Sequence, residues 1–401
     1  MQVVELAGLV LEGSEAAFLR KIIDTIDCRL DRKYVHLPPN IIGMDTRYDE
    51  ITSWLNQPNY EFLAICGMGG SGKTTLAKYI FNSSLKYFEN VSFIEDIGSR
   101  CNGANDLLNL QEKLLKDILG GKGREVHGVS RGTFKIQEVM QRKRTLVVLD
   151  DIVERSQIYV LLGSGKINAQ SKIIVTSRND TDNWFDSSYR CRKYQMELLN
   201  YNESLELFSS HAFGSKIPIS GFERLAFMAV RYCEGNPLAL QVLGSSLFMN
   251  NNFQSWISHF NLLKKEIDSR IQDILIRSYM SLPFDSQKML FLHIACFYIG
   301  KNVDNVITIL EREYSAAIGI KTLINRHLVS VSPDKKLMMH RFIQQMGINI
   351  VRHGLTTFPE KSRVWICSES YRTMSIGKAS NMIEAIGWMY KVYTSIQHYD
   401  D

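Results

Sequence analysis

Eight consecutive residues, Gly67-Met68-Gly69-Gly70-Ser71-Gly72-Lys73-Thr74, match the pattern G-x-x-x-x-G-K-S/T in full. Glycines let the backbone take positive φ and turn its N–H groups inward, toward phosphate oxygens. A helix starting near Lys73 would add the positive end of its dipole. Lys73 would bring a charge to the β- and γ-phosphates of a nucleotide, and Thr74 a hydroxyl to Mg2+. The apolar stretch "FLAIC" at 62–66 runs straight into this loop. Strand, loop and helix start together make a phosphate cradle, with Gly67, Gly69, Gly70, Ser71, Gly72, Lys73, Thr74 and the following Thr75 as the expected contacts.

Two further segments could complete that chemistry. In "TLVVLDDI" (145–152), four apolar residues deliver Asp150 to the carboxyl end of a strand. An acid there can hold Mg2+ through water. Asp151 is placed either to orient or deprotonate an attacking water, or to cap the helix that follows. In "KIIVTSRND" (172–180) another strand ends at Arg178. Its guanidinium is expected to reach a γ-phosphate bidentately and so tell ATP from ADP; on this segment alone it reads as a surface arginine. The chain has no Asn-Lys-x-Asp element after the fourth strand, which weighs against a GTPase.

The elements that must position these residues can be read from the apolar pattern. "FLAIC" (62–66), "VSFI" (91–94), "TLVVL" (145–149) and "KIIVT" (172–176) are short, rich in β-branched residues and bounded by polar or glycine residues. Each reads as a buried strand, and helical stretches such as 106–119 lie between them. The alternation predicts a parallel sheet covered by helices, with ligands beyond the carboxyl ends of its strands. After about 197 helical periodicity takes over, through 203–213, 222–233, 237–249 and 253–265, with Pro237 suited to a first helical turn. Helices continue from 269 toward 372, interrupted by "HLVSVS" (327–332) and "KLMMH" (336–340) around the turn "PDKK", a pattern compatible with a winged helix. A further helix is expected at 15–30, with Ser14 as N-cap, before the linker "DRKYVHLPPN". The expected division is therefore an N-terminal helix and linker (1–40), an α/β P-loop nucleotide-binding domain (41–196), a helical subdomain (197–268), a winged-helix subdomain (269–372) and a tail (373–401).

Composition fits a globular protein of 401 residues, 45% hydrophobic and 22% charged. Lys and Arg number 47 against 42 Asp and Glu, a net +5 that is no footprint of nucleic-acid binding, and 327–345 carries no dense basic stripe. No nucleic-acid partner is expected. Seven scattered cysteines without a C-x-x-C pair point to a reducing, intracellular compartment. The start lacks a basic n-region, so it makes a poor signal peptide. The longest apolar run, "MLFLHIACFYI" (289–299), has about half the ~20 residues a membrane span needs and reads as a buried core helix.

With the three motifs in order, the chain resembles the NB-ARC module of plant nucleotide-binding, leucine-rich-repeat immune receptors, and is similar to the apoptosome-forming ATPases of animals. "GNPLAL" (235–240) resembles the family's G-L-P-L-A motif, "FLHIACFYIG" (291–300) its F-L-D-I-A-C-F-F, "YQMELLNYNESLELFSSHAF" (194–213) the block that opens its first helical subdomain, and "MHRFIQQMGINIVR" (339–352) its M-H-D-L-L-Q-x-M-G-R-E-I-V-R. The type seen with TIR domains fits best, since "LDDIVERSQI" lacks the tryptophan of coiled-coil receptors. Residues 1–40 resemble the segment after a TIR domain, and "KSRVW" (361–365) the stretch before leucine-rich repeats, so the resemblance implies a module lacking both domains.

By this resemblance ADP holds the module closed and ATP opens it for oligomerisation, with slow ATP hydrolysis as the reset. Ile42 and Gly43 in "NIIGMD" match the stretch that meets adenine, Pro237 would pack against the nucleotide, and His340 would reach the β-phosphate of ADP. ADP/ATP and Mg2+ are the implied cofactors, a cytoplasmic or nuclear location the implied setting, and full-length immune receptors or further copies of the module the implied partners. The chain departs from the family at Arg341, where the motif has an acid; at His293, where F-L-D-I-A-C has its acid; and at Asn236, where the motif has leucine. Charge reversal at Arg341 is expected either to weaken the closed state or to rewire its phosphate contact. A second reading is a truncated helper or decoy that binds partner receptors through its helical and winged-helix parts with little nucleotide exchange. A motor or phosphotransferase would need a second substrate pocket or transfer nucleophile, and the sequence offers neither.

Overall fold

Phe62–Cys66 form a strand, β1, in which every residue is buried. A strand with no face left to water must lie inside a sheet covered on both sides. In the computed structural model four more strands complete that sheet: β2 (Asn90–Ile94), β3 (Thr145–Ile152), β4 (Lys172–Ser177) and β5 (Cys191–Gln195), in the order β2-β3-β4-β1-β5, all neighbours parallel. The first four are the strands expected from the sequence. β5 is an addition. Its sequence Cys-Arg-Lys-Tyr-Gln has no apolar run, because it lies at the sheet edge with half-buried and exposed residues.

The structure describes residues 34–352, apart from 58–59, 89, 102, 122–125, 183, 186–189, 249–251 and 264–265. The helix expected at 15–30, the segment 361–365 and the tail 373–401 lie outside the described residues. The described chain forms two units. The first comprises the described residues up to Cys66, then Lys73–Ser177 and Thr181–Gln195; the second comprises Gly67–Gly72, Arg178–Asp180 and the described residues from Met196 onward.

In the first unit the sheet is joined by α1 (Met44–Leu55), α2 (Lys73–Ser84), α3 (Ile97–Arg100), α4 (Ala104–Ile118), α5 (Val129–Arg142) and α6 (Arg155–Leu162). Leu110, Leu114 and Ile118 recur at four-residue steps on α4, as Ile136 and Met140 do on α5. They pack with Phe62, Val147, Leu149, Ile173 and Val175 into one core. Lys172 is one of the charged residues buried in this unit. Its buried Nζ donates to the carbonyls of Gln57 (2.5 Å) and Tyr60 (2.7 Å) and lies 5.1 Å from the centre of the Trp54 ring. It thereby ties the chain just after α1 to the start of β4.

The second unit contains α7 (Tyr201–Phe213), α8 (Glu223–Cys233), α9 (Pro237–Ser246), α10 (Phe253–Leu263), α11 (Ser269–Met280), α12 (Asp285–His293), α13 (Val303–Tyr314), α14 (Ala316–Asn325) and α15 (Arg341–Arg352). Trp256 is fully buried and meets the rings of Phe208, Phe213 and Phe222, which knits α7 and α10 together. The apolar run 289–299 is helical and largely buried, as expected, but after His293 it widens into a π-helical turn, Ile294–Tyr298. His293 is itself buried, and its Nε2 lies 2.9 Å from the Tyr314 hydroxyl. The hairpin forms from only two residues on each side, β6 (Ser330–Val331) and β7 (Leu337–Met338), because Leu328 and Val329 turn into the core instead. β7 is also bonded to the chain before α13, with Leu337 N–H donating to Lys301 at 2.9 Å and Gly300 N–H to Leu337 at 2.7 Å. Among the described residues no helix is long and apolar enough to cross a membrane.

Candidate nucleotide site

The first unit brings together the acid and hydroxyl expected to share a cation. α2 begins at Lys73, a buried residue, and continues through Thr74 and a half-buried Thr75. Thr74 Oγ1 donates to Asp150 Oδ1 at 2.8 Å. Thr176 Oγ1, from β4, donates to the same oxygen at 2.7 Å. Asp150 is 4% exposed. Burial pushes its carboxyl up from the ordinary range, against the opposing pull of the Thr176 and Thr74 hydroxyls.

A local irregularity gives the two acids different roles. The pairing of β3 with β4 shifts between Leu149 and Ile152, so one extra residue bulges where Asp150 and Asp151 lie. Asp151 takes the left-handed conformation, φ 56, and its N–H donates to Thr176 Oγ1 at 2.9 Å. Thr176 thus spends its proton on Asp150 and a lone pair on Asp151. Asp151 does not cap α6; Glu154 does, in a capping box with Gln157. In the sequence Thr176 reads only as the end of a strand. Also in the first unit, Gly43 stands at the N-terminus of α1 with φ 71, next to a half-buried Ile42. The Gly43 carbonyl accepts from Nη1 of the buried Arg47 at 2.7 Å.

In the second unit the loop Gly67–Gly72 packs on the residues that open α9 and on α11. Gly70 has φ 79, and a Cβ there would sit 3.0 Å from both Asn236 Oδ1 and Leu238 Cβ. Only glycine meets both demands. The Gly70 carbonyl accepts from Leu238 N–H at 3.3 Å, and the Gly69 carbonyl from Asn236 Nδ2 at 3.3 Å. Gly67 and Gly72 complete the positive-φ positions of the loop. Ser71 is fully buried, and its hydroxyl has no hydrogen-bond partner among the described residues. Pro237 occupies the first turn of α9, as its fixed φ favours. Arg178 Nη1 donates to the Ile274 carbonyl at 3.0 Å, and that carbonyl also borders Gly69.

His340 and Arg341 stand at the start of α15. The His340 side chain is 10% exposed. Its Nδ1 accepts from Phe342 N–H at 3.2 Å, so in the neutral ring the proton sits on Nε2. Nε2 has no hydrogen-bond partner among the described residues; the nearest carboxylate oxygen, of Glu234, is 3.8 Å away. Burial holds this imidazole below the ordinary histidine range, although Glu234 pulls the other way. Arg341 is met by the same carboxylate: its N–H donates to Glu234 Oε2 at 3.1 Å, its Nε lies 3.5 Å from Oε1, and its guanidinium lies 5.3 Å from the Tyr232 ring centre.

Two buried donors without partners, Ser71 Oγ and Nε2–H of His340, fit an anionic ligand better than an apolar one. The Thr74–Asp150 pair fits a hard cation. Among the described residues no cluster of three or more His, Cys, Asp or Glu gathers to hold a metal by itself.

Comparison with known proteins agrees with this arrangement. Residues 44–217 match the NB-ARC domain, and residues 285–354 match the winged-helix domain described as Disease resistance protein Roq1-like. The chain is 34% identical over 392 residues to Disease resistance protein RUN1 of Vitis rotundifolia, covering 96% of this chain and 29% of that protein. It is 33% identical over 391 residues to TMV resistance protein N of Nicotiana glutinosa, covering 94% of this chain and 33% of that protein. The chain thus spans about a third of the length of these relatives. Among solved structures, the Walker-type ATPase PABY2304 of Pyrococcus abyssi superposes with a TM-score of 0.57 at 13% identity, over 80% of this chain and 100% of that one, a likeness of fold. Sheet, phosphate loop and hairpin therefore have one reading: the chain holds an NB-ARC domain followed by a Roq1-like winged-helix domain, and its homologues include plant disease resistance proteins.

Proposed function

We propose that the chain is an adenine-nucleotide switch of plant defence signalling, working in the cytoplasm or nucleus, bound to ADP at rest and to ATP when active. The observation that carries the reading is the arrangement in which Thr74 and Thr176 both donate to one oxygen of the buried Asp150. Thr74 and Asp150 would hold Mg2+, which supplies charge neutralisation at the phosphates when bound. The backbone N–H groups of Gly67, Gly69, Gly70 and Gly72 and the hydroxyl of Ser71, with Lys73 and Thr75, would bind the phosphates. Ile42 and Gly43 would meet the adenine, and Pro237 would pack against the nucleotide. Asp151, held by its N–H on Thr176, would orient an attacking water, so that slow hydrolysis resets the switch. The proposed working division is 41–196, 197–268 and 269–372.

Arg178 and His340 would supply the difference between the two nucleotides, Arg178 favouring the γ-phosphate of ATP and His340 the β-phosphate of ADP. A ligand moves a two-state equilibrium only by its differential affinity. Reversing 1:99 to 99:1 takes about 5.5 kcal/mol. One or two charge-assisted hydrogen bonds of about 1.5–3 kcal/mol each cover much of that. Titration of nucleotide-free protein with ADP, with and without Mg2+, tests the reading. Tight binding that falls at least tenfold in Lys73→Ala is expected; equal binding in that variant would overturn it.

A second reading has the chain meet partner receptors or further copies of itself with little nucleotide exchange. The exposed rings of Tyr201, Phe227, Phe248 and Phe253 on the helical part favour it. Partner binding that survives Lys73→Ala would decide for this reading.

A further inference from the structure

Asn236 replaces the leucine of the G-L-P-L motif, and it is 1% exposed. A buried primary amide is costly unless its polar atoms are satisfied. Here both ends are used. Oδ1 accepts from Ala239 N–H at 3.1 Å, which caps α9. Nδ2 donates to the Gly69 carbonyl at 3.3 Å. One residue farther along the loop and two farther along the chain into α9, Leu238 N–H donates to the Gly70 carbonyl at 3.3 Å. Two successive loop carbonyls are therefore pinned on the α9 side. In a trans peptide the N–H that follows a carbonyl points the opposite way, so the N–H groups of Gly70 and Ser71 turn away from α9; that of Ser71 donates to the Met68 carbonyl at 3.4 Å, closing a turn within the loop.

We infer that Asn236 is a positioning residue of the phosphate loop: its amide holds the Gly69 carbonyl toward α9 and so presets the N–H of the same peptide, that of Gly70, for phosphate. A leucine at this position can neither cap α9 nor hold the carbonyl. It also links the loop to the helix that begins at Pro237, so that a shift of α9 and a change at the phosphates are felt by one another. The link to phosphate rests on the nucleotide reading above; the hold on the loop does not.

The two functions of the amide can be separated. Asn236→Ser keeps a short oxygen for the cap but is too short to reach Gly69; Asn236→Leu removes both. Hydrogen–deuterium exchange of the nucleotide-free protein, read on peptides covering 67–76 and 239–246, is compared with ADP affinity in Mg2+. Faster exchange at 67–76 is expected in both variants, with faster exchange at 239–246 in Asn236→Leu only. ADP affinity is expected to fall about 3- to 10-fold in Asn236→Ser, the range for one lost buried hydrogen bond. Unchanged exchange at 67–76 in both variants would overturn the hold on the loop. Faster exchange with ADP affinity unchanged would overturn its preset for phosphate. If wild type takes up no nucleotide while exchange at 67–76 still rises in the variants, the hold stands and the nucleotide reading fails.

Discussion

Restoring the family's acid at position 341 is expected to destabilise this chain. Glu234 lies beside that position and uses its carboxylate twice. The side-chain pair, Arg341 Nε to Glu234 Oε1 at 3.5 Å, joins side chains that are 45% and 40% exposed. Such pairs are worth about 0.2–1 kcal/mol. The guanidinium near Tyr232 adds about 0.5–1 kcal/mol. The larger contribution is the bond from the Arg341 N–H to Glu234 Oε2, about 1.5–3 kcal/mol for a hydrogen bond to a charged group. It belongs to the peptide, so it survives substitution of Arg341 and is lost only with Glu234. Glu234→Ala should therefore cost about 2–3 kcal/mol and Arg341→Ala about 1 kcal/mol, with a coupling energy below about 1 kcal/mol in the double-mutant cycle. Arg341→Asp should cost about 1–2 kcal/mol, since it loses the pair and sets two carboxylates against each other. Urea unfolding of the nucleotide-free variants measures all four values. Arg341→Asp as stable as wild type, or Arg341→Ala costlier than Glu234→Ala, would refute this reasoning. ADP release measured on the same variants tells whether position 341 bears on the lock at all.

Thr176→Val should weaken ADP binding about tenfold in Mg2+ and much less in EDTA, because it removes a charge-assisted donor from the oxygen that Thr74 also meets. Thr176→Ser should restore binding; calorimetric titration that finds the same loss with and without Mg2+ would remove Thr176 from cation binding. His340 carries the pH dependence. Its folded pKa is depressed, so the unfolded chain takes up the proton first as pH falls. The stability this histidine contributes is complete above about pH 6.5 and is lost as pH falls through the folded value. His340→Gln should flatten the fall of urea midpoint between about pH 6.5 and pH 5, relative to wild type. His211 and His259, whose pKa values burial also lowers, remain as the residual slope.

The phosphate loop, four of the five strands and the acid at Asp150 were legible because each is written in consecutive residues with a period or a motif. The edge strand Cys191–Gln195 was not, since an edge needs no apolar run. Contacts between distant segments were the larger gap. Thr176 serves both acids across a strand pairing, and Glu234 meets Arg341 from 107 residues away in sequence. Nothing local marks either residue. The sequence comparison did flag Arg341, Asn236 and His293 as departures, and the structure gives each a neighbour that accommodates it: Glu234, Gly69 and Tyr314. Read locally, the reversal at Arg341 was an uncompensated charge; beside Glu234 it is a matched one.

On the proposed function, the loop at 67–76 holds the nucleotide of a resting switch. Purification without added nucleotide, followed by denaturation and chromatography of what is released, tests it most directly. About one ADP per chain is the expected result. ATP in its place would contradict the resting state, and a protein that carries no nucleotide and takes up no ADP would contradict the switch itself.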